Sequence, residues 1–175
     1  MSLHLEKSAD RCREQLRHLA PRGTPRVLFA PYRICPIGAH IDHQGGTVLG
    51  QAIDIGTTLA FSPSREPVLH LRSANYPDEI RIGLDEENPP AILWARYAWA
   101  AARALAEELP SAPQGLHGAI EGALPGGGLS SSASLELAAA RALMALAGVD
   151  LDIDTLAKVC QRAEIHHAGV NCGIM

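Results

Sequence analysis

The sequence predicts an α+β fold, an antiparallel or mixed β-sheet with helices packed on it, and three observations carry that prediction. Short runs rich in β-branched residues fill the first half of the chain, between 26 and 84. Alanine-rich stretches fill 91–106 and 133–147, and 28 of the 175 residues are alanine, a helix former small enough for close packing. One further strand, after Pro110, lies between the two helical stretches, which makes a βα crossover rather than separate all-β and all-α pieces.

Taken in order, residues 5–20 read as an amphipathic helix with Leu5, Cys12, Leu16 and Leu19 as its apolar positions, broken by Pro21 to Pro25. Residues 26–30 read as a strand ending at Pro31. Gly45-Gly46 turns the chain into apolar runs at 47–53 and 55–61, and 68–73 and 79–84 read as two more strands around an Asn75-Tyr76-Pro77-Asp78 turn. Pro89-Pro90 precedes a helix through Glu108, residues 115–121 read as a strand, and a helix from about Ser130 to Ala147 follows a glycine-rich turn. Asp152 or Asp154 caps a last helix from about Thr155 to Ala168. At this length the chain can bury roughly 70% of its unfolded surface in a single core. No internal repeat or long linker divides it.

Composition narrows the function. With 47% hydrophobic residues the chain is neither disordered nor fibrous. Fifteen Lys plus Arg against 19 Asp plus Glu leave no basic face for a nucleic-acid backbone, so no nucleic-acid partner is expected. Only Lys7 and Lys158 are lysines, which argues against a lysine phosphate clamp. Cys12, Cys35, Cys160 and Cys172 have no CxxC spacing and read as reduced packing residues. The start has no apolar targeting region and no window reaches the length of a membrane span, so a cytoplasmic protein without a membrane partner is expected.

The most informative stretch is Leu124-Pro125-Gly126-Gly127-Gly128-Leu129-Ser130-Ser131-Ser132-Ala133-Ser134. Three glycines let backbone approach a ligand closely. The serines fall at a helix N-terminus, where open N–H groups and the helix dipole favour an anion. Serine hydroxyls there cap the helix, bind phosphate oxygens or ligate Mg²⁺, and the residues alone leave these open. The Walker A ending and the dinucleotide fingerprint are both missing. A second polar stretch, 30–46, sets Arg33, His40, Asp42, His43 and Gln44 among apolar residues. Asp42 suits sugar hydroxyls, His40 and Gln44 donate or accept, and Arg33 is a permanent cation for a phosphoryl group. His40 and His43 do not read as a zinc site, because Pro36 and Gly38 disfavour the helix such spacing needs. His166 and His167 read as surface and cap residues.

With both stretches in view, the chain resembles the sugar kinases of the GHMP superfamily, in the galactokinase branch. Residues 30–46 are similar to the A-P-G-R-x-N-x-I-G-E-H-T-D-Y-N-G-G signature, residues 124–134 to the P-x-G-x-G-L-S-S-S-A phosphate loop, and residues 161–175 to the stretch leading into the catalytic aspartate. The resemblance implies the GHMP-kinase N-terminal domain, ribosomal protein S5 domain 2-like, over 26–175, with 1–25 as an N-terminal helix and lead-in. It implies ATP and Mg²⁺ as cofactors and a small sugar as substrate. Arg33 is then the catalytic cation beside the anomeric hydroxyl. Ala39, His40, Asp42, Gly45 and Gly46 lie on the substrate side. Pro125, Gly126, Gly127, Gly128, Leu129, Ser130, Ser131, Ser132 and Ala133 cradle the triphosphate, Ser132 and Glu164 hold the metal, and Trp94 lies near the adenine. On its own, Trp94 reads as a core residue and Glu164 as a solvated one.

Two departures stand out: Tyr32 replaces the family's glycine and Ala39 its glutamate. In galactokinases that glutamate lies near the sugar's C6 hydroxyl, where it would repel a C6 carboxylate by about 4 kcal/mol at ~4 Å and an effective dielectric of ~20. Ala39 removes that repulsion, so the resemblance extends to galacturonokinases and D-galacturonate is expected ahead of D-galactose. The family's catalytic aspartate follows the C-G-I-M run. A 175-residue chain ending at Met175 is therefore expected to be the N-terminal half without the C-terminal domain, inactive alone and apt to self-associate through an apolar face. A non-catalytic sugar- or nucleotide-binding regulator and a kinase for another small alcohol are the rival readings.

Overall fold

In a computed structural model, residues 3–39, 41–124 and 128–175 are described. The element order is α1 (Leu3–Leu19), β1 (Arg26–Ile37), β2 (Leu49–Pro63), β3 (Val68–Ser73), β4 (Glu79–Gly83), α2 (Leu93–Ala106), β5 (Leu116–Gly122), α3 (Ser131–Ala147) and α4 (Ile153–Arg162). The strands form one mixed sheet ordered β1-β2-β5-β3-β4, in which β3 and β5 run parallel and the other neighbours antiparallel. The α+β expectation holds.

Two strand boundaries differ from the sequence reading. Pro31 does not end β1; the strand runs on to Ile37, with its register against β2 shifting between Pro31 and Arg33. Proline lacks the N–H a ladder needs, and it is tolerated here because β1 is an edge strand and the residue sits at an irregularity. The runs at 47–53 and 55–61 are one strand, β2, since Asp54 points to solvent by simple alternation and no break is required. Gly56 in this strand has no room for a side chain: a Cβ would lie 2.0 Å from the Ala30 carbonyl oxygen.

Helices α2, α3 and α4 cover one face of the sheet. Their buried residues include six alanines of α2 (Ala95, Ala98, Ala100, Ala101, Ala102, Ala104) and four of α3 (Ala138, Ala139, Ala140, Ala142). These pack with Leu59, Leu69, Leu71, Leu105, Leu116 and Leu143 into the main core. Small side chains let the two helices approach each other and the sheet closely. Helix α1 lies on the opposite face, where Cys12 and Leu16 meet Ala60 and Ala119.

Asp152 caps α4, its side chain accepting from the N–H groups of Asp154 and Thr155. The expected single helix to Ala168 changes character at its end, because Ala163–Ala168 form a π-helical turn closed by Gly169 at φ 77°. No helix among the described residues is long and apolar enough to cross a membrane.

Candidate functional site

The glycine–serine loop enters α3 through two left-handed residues, Gly128 at φ 73° and Ser130 at φ 56°. Left-handed backbone costs a non-glycine residue roughly 1–2 kcal/mol, a strain typical of ligand-binding loops. Ser130 holds the N-cap position without a side-chain cap bond, so its hydroxyl leaves the first-turn N–H groups open. Ser131, Ser132 and Ala133 form that first turn, half-buried. Ser132 Oγ donates to Glu164 Oε1 at 2.8 Å. Glu164 reaches it from the π-helical turn after α4, the kind of widened turn that re-aims a side chain. Pro125, Gly126 and Gly127 of the loop, and His40, lie outside the described residues.

Beside this helix end is a cavity of about 530 Å³, lined by Tyr32, Thr57, Ser73, Asn75, Trp94, Tyr97, Ser131 and Ser132 among others. Trp94 packs partly against the core, yet its buried Nε1–H has no hydrogen-bond partner. A larger groove, of about 910 Å³, runs between β1, α3 and α4. It is mostly apolar, and its Arg26 donates to the Ala145 carbonyl while lying over Phe61. Of the two, only the smaller cavity is lined by the serines at the start of α3.

The second cluster adjoins the first. Arg33 N–H donates to the Leu129 carbonyl at 3.1 Å, tying β1 to the loop. Arg33 Nη2 donates to the Met175 carbonyl at 2.9 Å, and Met175 N–H donates to Asp42 Oδ2 at 3.1 Å. That last bond, ahead of the others it accepts, holds the Asp42 carboxyl below its ordinary range. Residue 173 must be glycine, because a Cβ there would lie 1.7 Å from Asp42 Oδ2. Gly45, at φ 72°, closes the short 3₁₀ turn Asp42–Gln44, and Gly46 packs against Ile41. Ala39 is exposed. The structure thus brings Arg33, Asp42 and the 173–175 segment together, and separately Ser132 and Glu164. Leu129 joins the two groups.

Sequence reasoning gave no site role to several residues that shape the site. Tyr32, only 1% exposed, has its hydroxyl 3.4 Å from the Leu124 carbonyl, under the start of the loop. Asn75, read only as a turn residue, donates to the Gly122 carbonyl at 2.9 Å and accepts from its N–H at 2.7 Å. Ser134 Oγ donates to the Ala30 carbonyl at 2.8 Å and shares a hydrogen bond with Thr57 Oγ1, pinning α3 to the sheet.

Glu136, one turn behind Ser132, is 1% exposed and neither carboxyl oxygen has a hydrogen-bond partner. Burial first, and then the Glu164 charge, push its carboxyl up to about 9. No sequence signal separates it from a solvated helical glutamate. Burial pushes the Cys160 thiol to about 12, and burial with Glu164 does the same for Cys172, so neither is a thiolate nucleophile near neutral pH.

No group of three or more His, Cys, Asp and Glu side chains among the described residues is arranged to hold a metal. The Ser132–Glu164 pair offers oxygen donors only. That chemistry fits Mg²⁺, which binds one or two protein oxygens and completes its shell with water and phosphate.

Residues 96–175 match the GHMP kinases N terminal domain, and residues 19–63 match the galactokinase galactose-binding signature. A galacturonokinase of Arabidopsis thaliana is 40% identical over 136 residues, which is 67% of this chain and 32% of that protein. A galactokinase of Halalkalibacterium halodurans is 38% identical over 154 residues, 86% of this chain and 38% of that protein. The crystal structure of Lactococcus lactis galactokinase complexed with galactose superposes with a TM-score of 0.86 at 32% identity, covering 92% of this chain and 43% of that one. Methanococcus jannaschii mevalonate kinase, at 23% identity and a TM-score of 0.70, shares the fold. The chain spans less than half the length of each of these proteins. By both sequence signatures and by the superposition, the chain belongs to the GHMP kinases, in their galactokinase branch.

Proposed function

We propose that this chain forms the nucleotide- and sugar-binding part of a kinase that transfers the γ-phosphoryl group of ATP to a sugar's anomeric hydroxyl. The products are the sugar 1-phosphate and ADP, and D-galacturonate is preferred to D-galactose. The observation that carries this reading is the adjacency of two chemistries. An oxygen pair, Ser132 and Glu164, sits at an uncapped helix N-terminus, and a guanidinium and carboxylate, Arg33 and Asp42, lie just beyond Leu129.

In this reading the cavity beside Trp94 takes the adenine, and the N–H groups of residues 126–132 receive the phosphates. Mg²⁺, held by Ser132 and Glu164, supplies charge neutralisation at the phosphates. Arg33 supplies a fixed positive charge where the phosphoryl group passes. Asp42, whose hydrogen bonds favour its ionised form, accepts from sugar hydroxyls. The resemblance assigns the base to an aspartate that follows the C-G-I-M run. Support for a uronate comes from exposed Ala39 in the glutamate's place and from the galacturonokinase similarity.

The test is an assay of the protein from the complete reading frame with D-galacturonate and D-galactose in parallel. A higher kcat/KM for galacturonate is expected; a clear preference for galactose overturns the substrate assignment, and no turnover of either overturns the kinase reading. Titration calorimetry of this chain with Mg-ATP separates binding from turnover.

A further inference from the structure

The sheet face opposite α2 and α3 carries a cluster that the kinase reading does not use. Strand alternation sends Leu69 and Leu71 into the main core and turns His70 to the other face. His117 is the register partner of His70 across the parallel β3–β5 pair. The two Nδ1 atoms face each other at 3.3 Å, with the rings 5.4 Å apart and inclined at 65°. On its far side His70 Nε2 lies 2.8 Å from Glu79 Oε1.

Proton placement follows from the partners. An ionised carboxylate only accepts, so the Nε2 of His70 carries the hydrogen that Glu79 receives. In the neutral ring, Nδ1 of His70 is then a lone pair aimed at His117. Zinc binds imidazole nitrogen at about 2.0–2.1 Å, and two such bonds at a tetrahedral angle place the nitrogens about 3.3 Å apart. That is the spacing observed. A carboxylate on the outer nitrogen is also the partner that metal-bound histidines characteristically have, since it fixes the tautomer and raises the basicity of the ligating nitrogen. The neighbouring guanidiniums do not oppose a cation outright, because Arg81 is paired with Glu66 and Arg72 lies 3.9 Å from Glu79.

We propose that His70 and His117, with Glu79 bonded behind His70, form a binding site for a divalent transition-metal ion of the zinc type. The two Nδ1 atoms are its protein ligands and water fills the remaining positions. Without the ion, His117 Nδ1–H donates to His70; with it, His117 carries its hydrogen on Nε2 instead, so no proton is lost. A metal here ties β3 to β5, the one parallel pair among the described strands, and stabilises the folded chain by mass action.

The test is zinc titration calorimetry with thermal unfolding on this chain, in excess MgCl₂. Wild type is expected to bind an equivalent of Zn²⁺ that raises Tm, and His70→Ala and His117→Ala each to lose that equivalent and the rise. Glu79→Gln is expected to bind about 10-fold more weakly. His117→Gln serves if either alanine variant fails to fold, judged by Tm without zinc. Absence of zinc binding in wild type, or its retention with the Tm rise in a His70 or His117 variant, overturns the proposal. Unchanged affinity in Glu79→Gln removes Glu79 from it.

Discussion

Replacing Glu136 with glutamine should make the protein more stable, increasingly so as pH rises. The carboxyl is 1% exposed, has no hydrogen-bond partner for either oxygen, and stands near the Glu164 charge. An ionised carboxylate cannot be solvated there, so the folded protein keeps the proton up to about 9, whereas the unfolded chain releases it near 4.5. Between those values the folded state holds more protons than the unfolded state, and stability therefore falls as pH rises. Each pH unit is worth about 1.36 kcal/mol, which accumulates to about 3 kcal/mol by pH ~7. That is a large share of the roughly 5–15 kcal/mol that holds a domain folded. The glutamine of the variant does not titrate, and its own unpaired amide adds an offset that does not change with pH. Urea unfolding of wild type and Glu136→Gln at several pH values between about 5 and 8 measures the difference directly. The advantage of the variant should widen steadily across that range. Parallel stability curves would refute the reasoning, since they would mean that Glu136 is ionised in the fold or charged at no cost.

Three further outcomes follow from other contacts. Ser134→Ala removes the buried hydroxyl that bonds both the Ala30 carbonyl and the Thr57 hydroxyl, and should cost about 1–3 kcal/mol in urea unfolding. Ala39→Glu, in the enzyme from the complete reading frame, should lower kcat/KM for galacturonate relative to galactose; an unchanged ratio removes Ala39 from specificity. Exposed Ile37, Leu49 and Ile174 lie near the Asp42 cluster, so this chain should self-associate in light scattering, less so as Leu49→Asp; a monodisperse wild-type monomer counts against it.

The sequence made the element order and the glycine–serine entry to α3 legible because both are local. The alanine stretches at 91–106 and 133–147 announced α2 and α3, and the Asp152/Asp154 pair announced the start of α4, with Asp152 the actual cap. It misplaced the end of β1 at Pro31, because a proline is tolerated or not according to whether its strand lies at a sheet edge, which is a property of the assembled sheet. It divided β2 at Asp54 for the same kind of reason, since one solvent-facing charge in a strand resembles a break until the faces are known.

The sequence by itself offered the candidates, a glycine–serine loop before a helix and an arginine, histidine and aspartate after a strand, while Glu164 entered only through the family resemblance. Only the tertiary structure decided which of them meet. Ser132 bonds Glu164 across 32 residues and Asp42 bonds Met175 across 133, separations over which no local pattern constrains a distance. Packing likewise decided that Glu136 is buried without a partner while Glu121, on β5, bonds Arg11. The two share a side chain and differ in desolvation, which depends on the elements stacked around each residue and is therefore invisible until the chain is folded.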